Sequence, residues 1–157
     1  MNGFVAWNQL RALMKIPGTP FAAIEAQFRE YLKFEDQPME LDVFLVERLG
    51  DRKAALDAIR KAFDQPDNQN IWRLHRITHY ADYFGDRDLA LAALRRQVID
   101  LNSSYVTYMW EPHLTGIRAD PRFKILVREL GLADYYRTSG KWSDYCKPVG
   151  KDDFECR

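Results

Sequence analysis

Two stretches of this chain are copies of one another. FLVERLGDRKAALDAIRKAF, Phe44 to Phe63, aligns without a gap on HYADYFGDRDLALAALRRQV, His79 to Val98. Gly50 falls on Gly85, Asp51 on Asp86, Arg52 on Arg87, Ala55 on Ala90, Leu56 on Leu91, Ala58 on Ala93 and Arg60 on Arg95, an offset of 35 residues. A period of that size marks a helical hairpin stacked on further hairpins, because one pair of helices cannot bury its apolar face alone. Each glycine sits where a first helix must stop, a place that favours left-handed backbone. The aspartate after it can accept from the free N–H groups of the next helix. In the second helices Ala55, Ile59 and Ala62 fall at i, i+4 and i+7, matched by Ala90, Leu94 and Gln97. Small residues there let neighbouring backbones approach, and Gln97 marks either the edge of the stack or the point where regular stacking ends.

The rest of the chain divides into helical pieces. An opening helix runs from about Phe4 to Lys15 and is broken by IPGTP, where two prolines forbid continuation. Thr19 and Pro20 read as an N-cap and first-turn pair, followed by an apolar stripe of Phe21, Ile24, Phe28, Tyr31 and Leu32. Asp120 and Pro121 read the same way ahead of a helix that stops at Gly131, and a short last helix spans Ala133 to Thr138. The expected fold is all-α, with the clearest repeats at about 38–65 and 71–100 and a cap at 117–146. Residues 147–157 are expected to be a flexible tail. The aromatic cluster of Tyr105, Tyr108, Trp110, Phe123, Tyr135, Tyr136 and Trp142 reads as the substitute core of an atypical last unit.

The two GDRxAL units resemble tetratricopeptide repeats, over roughly Pro38 to Asp100. The first helices depart from that pattern in lacking an early tryptophan and in carrying Val43 and Thr78 at the small central position. The segment Ile117 to Cys146 is similar to the end of the TPR-like region found at the C-terminus of bacterial multidomain proteins, including some adenylate cyclases and winged-helix regulators. The matching residues are Asp120 to Phe123, Leu130 to Leu132, and Tyr136, Ser139, Gly140, Trp142, Asp144 and Cys146. The resemblance implies an α-α superhelix, a structural cap without a catalytic role, and a parent polypeptide whose other domains are partners. Neither a cyclase nor a DNA-binding sequence accompanies it here.

Charge and motifs restrict the function classes further. Lys and Arg number 23 and so do Asp and Glu, so the net field gives no attraction to nucleic acid or to an acidic membrane. No apolar run approaches the roughly 20 residues that span a bilayer, and the opening lacks a secretory pattern. The expected location is cytoplasmic. Cys146 and Cys156 could staple the tail in an oxidising compartment, but two cysteines alone do not define a disulfide framework. There is no GxxxxGK[ST], GxGxxG or kinase-like loop, and the chain is expected not to be an enzyme and to need no cofactor.

If the register holds, the first helices line the concave side. Phe44, Glu47 and Arg48 face it in one unit, and Trp72, His75, His79, Asp82 and Tyr83 in the next, at i, i+3 and i+4 steps. Aromatics beside mixed charges suit an extended peptide or a helix. The alternative for Trp72 and Tyr83 is simple packing against a neighbouring element. His75 and His79 are one helical turn apart, as metal ligands can be, but HRITH lacks the intervening glutamate of hydrolytic zinc sites. Glu111 and His113 look too irregularly placed to complete a site, so no metal centre is expected. A non-catalytic protein- or peptide-binding module follows, with self-association into an isologous homodimer as the alternative.

Overall fold

The computed structural model describes residues 2–157 and is mostly helical, with a single small hairpin of strands. Helix α1 (Gly3–Lys15) starts at Asn2, whose side chain accepts from the Val5 N–H at 3.0 Å. Helix α2 (Phe21–Phe34) follows the IPGTP break and buries Ile24, Phe28 and Tyr31 of the expected stripe. Its cap differs from expectation: Pro20 is the N-cap residue, and the Thr19 hydroxyl donates back to the Ile16 carbonyl at 2.8 Å, closing the preceding turn.

The repeated segments form α3 (Glu40–Val46) with α4 (Arg52–Asp64), and α5 (Ile71–Tyr83) with α6 (Arg87–Arg95). Asp51 and Asp86 cap the second helices, accepting from the N–H groups of Ala54 and Leu89 at 3.0 Å each. Ala55, Ile59 and Ala62 are buried in α4, and Ala90, Ala93 and Leu94 in α6. Full burial of one such branched side chain contributes about 1.5–3 kcal/mol. The aligned arginines tie each unit to the next. Arg52 Nε donates to the Phe84 carbonyl at 2.8 Å, and Arg87 in its turn donates to the Gly116 carbonyl. Arg60 pairs with Asp86 at 2.6 Å, and Arg95 pairs with Glu129.

After α6 the helix widens into a π-helical turn at Arg96–Asp100. Gln97 is buried there, so it lies inside the molecule rather than at an edge, where regular stacking ends. Short 3-10 turns at Val106–Trp110 and Pro112–Leu114 lead into α7 (Thr115–Arg118), α8 (Phe123–Glu129) and α9 (Leu132–Ser139). Asp120 does not cap α8. Its carboxylate accepts from the Arg122 N–H at 2.9 Å in the turn before the helix.

Residues 147–157 are not a loose tail. Strands β1 (Cys146–Val149) and β2 (Asp153–Cys156) pair antiparallel, with Cys146 opposite Cys156 and bonded to it. Phe154 is fully buried, packing on Trp142, which in turn packs on Tyr136. A two-stranded hairpin is marginal alone, and this one is held by the single ring of Phe154 packed into the core and by the cysteine bond. Phe123, Tyr136 and half-buried Trp110 are core here, while Tyr105 and Tyr135 stay exposed. No helix among the described residues is long and apolar enough to cross a membrane.

Candidate functional site

The face that α5 was expected to offer to a ligand is covered. Helix α1 lies across it: Trp7 packs edge-on to His75, His79 and Tyr80, and Lys15 forms an ion pair with Asp82. His75 is 6 % exposed, His79 2 %, and the Asp82 carboxylate is buried beneath Lys15. These three do share one helix face, as their spacing requires, but that face looks into the protein and is closed to a peptide. Tyr83 is half-buried against Phe84.

Phe44, Glu47, Arg48 and Trp72 remain exposed. Two clefts adjoin on this side, and Arg73 borders both. One, of about 580 Å³, is lined by Phe4, Trp7, Gln37, Trp72, His75 and Arg76, among others. The second, of about 480 Å³, is lined by Pro38, Met39, Phe44, Lys61, Gln65 and Asn68, among others. Trp72 is 52 % exposed and Phe44 40 %. The Asn70 side chain caps α5 and accepts from Trp72 and Arg73 N–H groups at 3.2 and 3.0 Å, which fixes the helix start carrying both residues. Trp72 leans on Tyr105 and Tyr108, and Tyr108 stacks on His75 at 4.3 Å, so an aromatic ladder runs from the cleft rim to the buried histidines.

Two polar centres are buried behind the clefts. In the first, Arg76 Nη1 lies 2.8 Å from Asp42 Oδ2 and 2.5 Å from the Tyr31 hydroxyl. The Tyr80 hydroxyl donates to Asp42 Oδ1 at 2.7 Å, and the Met39 N–H donates to Oδ2 at 2.8 Å. Burial pushes the Asp42 carboxyl up, and Arg76 and the Tyr80 hydroxyl oppose that. Both carboxylate oxygens have donors, which is what a buried ion pair needs to break even. This centre ties α2, α3 and α5 together.

The second centre gathers His75, His79, Glu111 and Arg11. Glu111 Oε2 lies 2.9 Å from His75 Nε2 and 2.8 Å from His79 Nε2, and the two Nε2 atoms are 3.2 Å apart. Arg11 Nη1 sits over this triangle, 3.2 and 3.1 Å from the two Nε2 atoms, and is paired with Glu111. Glu111 comes from the turn between the two 3-10 segments, so the chain path completes a cluster that its sequence position did not suggest. His113 is not among the three side chains whose donor atoms converge. Burial holds both histidines below the ordinary imidazole value, with the charge of Arg11 acting in the same sense and Glu111 opposing it. Burial would raise the Glu111 carboxyl, but hydrogen bonds from the two imidazoles outweigh it and hold the group far below the usual carboxylate range.

Arg11, Asp42 and Arg76 were not singled out from the sequence. The signal available for Arg11 was weak: a charge on the apolar side of α1, beside Trp7, Leu10 and Met14. No protein-family model, curated protein sequence or solved structure matches this chain significantly.

Proposed function

We propose that this chain is a non-catalytic, TPR-like helical-repeat module that binds an extended peptide segment of another protein along the two clefts flanking Arg73. The observation that carries this reading is the half-exposed pair Trp72 and Phe44, one in each cleft, with Arg73 lining both and its Nη1 held by the Asp67 carbonyl and Asn68 Oδ1. A ring held at a cleft rim gives a large contact area with few torsions to freeze. Arg73 can fix register through an acidic residue of the peptide lying between two apolar anchors. Lys61 and Arg73 in the second cleft stand beside Glu40 and Asp67, so its lining carries both signs of charge. Within this reading the groove is shorter than the repeat register suggested, because α1 closes it from His75 onward.

The setting that goes with this reading is the cytoplasm of a bacterium, where such a module would hold domains of a parent polypeptide or a separate partner. The Cys146–Cys156 bond pulls the other way, since cytoplasmic thiols are kept reduced. A thiol count on protein prepared under native conditions decides between them.

Panning a displayed library of random peptides against the immobilised chain tests the function. Enriched sequences should carry apolar anchors around an acidic residue, and should lose about tenfold or more in affinity on Trp72→Ala or Phe44→Ala, as for truncation of an interface anchor. Enrichment that survives both substitutions would refute this binding surface. A concentration-dependent dimer broken by the same substitutions would transfer the face to self-association.

A further inference from the structure

The two buried centres differ in how well hydrogen bonds account for them. Around Asp42 every close contact pairs a donor with an acceptor. Around Glu111 this fails. Each imidazole Nε2 has one hydrogen or one lone pair, yet each is within 3.2 Å of the other Nε2, of a carboxylate oxygen and of a guanidinium nitrogen. If both rings donate to Glu111, two N–H groups confront each other and both turn a hydrogen toward Arg11. If either ring instead accepts from Arg11, its lone pair faces the carboxylate. Arg11 is itself incompletely bonded: Nη2 reaches Asn8, but its buried Nε has no partner among the described residues.

The same distances suit a common cation. Ligand atoms about 2.0–2.1 Å from one ion stand about 2.9 Å apart at right angles and about 3.3 Å apart in a tetrahedron. Of the three edges observed here, the two to the carboxylate, 2.8 and 2.9 Å, are close to the right-angle value and the edge between the imidazoles, 3.2 Å, is close to the tetrahedral one. Two imidazole nitrogens one helical turn apart and a carboxylate from a separate segment form a borderline-soft donor set, suited to zinc and its neighbours rather than to calcium or magnesium. Tyr108 stacked on His75 and Trp7 set edge-on to both rings hold the imidazoles in place. His75 also lines the larger cleft, which gives an ion a way in.

We propose that His75, His79 and Glu111 form a zinc-class metal site at which Arg11 stands in for the ion, so that guanidinium and metal exchange at one place. Without metal, Arg11 neutralises the buried carboxylate. On binding, each imidazole carries its hydrogen on Nδ1 and presents Nε2, the guanidinium leaves the three ligand atoms, and water takes the fourth position. No bond other than the metal–ligand bonds forms, and the proposal does not depend on the peptide-binding reading.

The test is equilibrium dialysis of the metal-stripped full chain against Zn²⁺, followed by metal analysis, with Co²⁺ as a second probe whose visible spectrum reports coordination. One ion per chain is expected. His113→Gln should leave uptake unchanged, while His79→Gln and Glu111→Gln should weaken it by about tenfold or more. Arg11→Met should bind Zn²⁺ more tightly than the unaltered chain, since removing a cation removes like-charge repulsion. Its melting temperature should also rise more on adding zinc. Should Arg11→Met fail to fold, dialysis of the unaltered chain still decides. Zinc uptake by that chain no greater than by His75→Gln, His79→Gln would overturn the proposal and leave Arg11 the resident cation.

Discussion

The unit built from α3 and α4 and the unit built from α5 and α6 share their turn and second-helix sequence, yet their first helices live in different surroundings. Glu40, Val43 and Phe44 of α3 and the Glu47 that follows it are exposed. Their counterparts 35 residues on are His75, Thr78, His79 and Asp82, whose side chains are all buried. The difference comes from outside the repeat: α1 and the Glu111 turn cover α5, while these positions of α3 stay open. A repeat therefore fixes how a hairpin closes and stacks, while what lies on its inner face is decided by whichever other segment carries complementary groups. The turns diverge too. Gly85 is left-handed at φ 79° and follows a helix that runs to Tyr83, whereas α3 ends at Val46 and Gly50 has no positive φ.

The largest effect is expected where the two units are joined. Asp42→Ala leaves Arg76 buried without its carboxylate and should cost about 3–5 kcal/mol in denaturant unfolding. A loss below about 1 kcal/mol would mean that the α3 to α5 tie is not load-sharing. Uncovering α5 alone should come next. In metal-free protein Arg11→Met leaves Glu111 held by the two imidazoles alone and should cost about 1.5–3 kcal/mol, with a near-neutral result showing that Arg11 does not help hold α1 on α5.

A paired glycine experiment sharpens the contrast at the turns. Gly85→Ala forces a Cβ into left-handed backbone, 3.2 Å from the Arg52 guanidinium, and should cost about 1–2 kcal/mol. Gly50→Ala meets nothing within 4 Å and should change stability by less than about 1 kcal/mol in either direction. Equal costs at both positions would erase the distinction between the turns.

Acid should act on the covered unit. His75 and His79 have folded-state values below the ordinary one, so the unfolded chain takes up their protons first. Their contribution is complete above about pH 6.5 and is lost as pH falls toward the folded values. Glu111, also depressed, adds a loss of the same sign at still lower pH. A melting temperature flat between pH 7 and 5 would contradict buried neutral imidazoles. The smallest effect belongs to the open face: Phe44→Ala should change stability by no more than about 0.5 kcal/mol, and a large loss would show that Phe44 is core.

Much of the helical framework was legible in the sequence because it is local. The Asp51 and Asp86 caps, the IPGTP break and the small residues along α4 and α6 all act within a few positions of where they stand. The spacing of His75, His79 and Asp82 also correctly put them on one face. What that face meets was not legible, since Arg11 and Glu111 reach it from 64 to 68 and from 32 to 36 residues away and 3.6-residue periodicity carries no information on such pairs. Asp42 and Arg76 pair over 34 residues and were missed for the same reason. The terminal hairpin was missed because its polar run hides a single buried ring, Phe154, and a cysteine pair whose bonding depends on register.

The most direct measurement of the contrast between an open α3 face and a closed α5 face is an NMR titration of the chain with a peptide selected for binding. Side-chain and amide resonances of Phe44, Trp72 and Arg73 should shift in proportion to occupancy, while the imidazole resonances of His79 stay fixed. Shifts centred on His79 and Asp82, with Phe44 and Trp72 unmoved, would mean that α1 lifts away and that the covered face is where the chain binds.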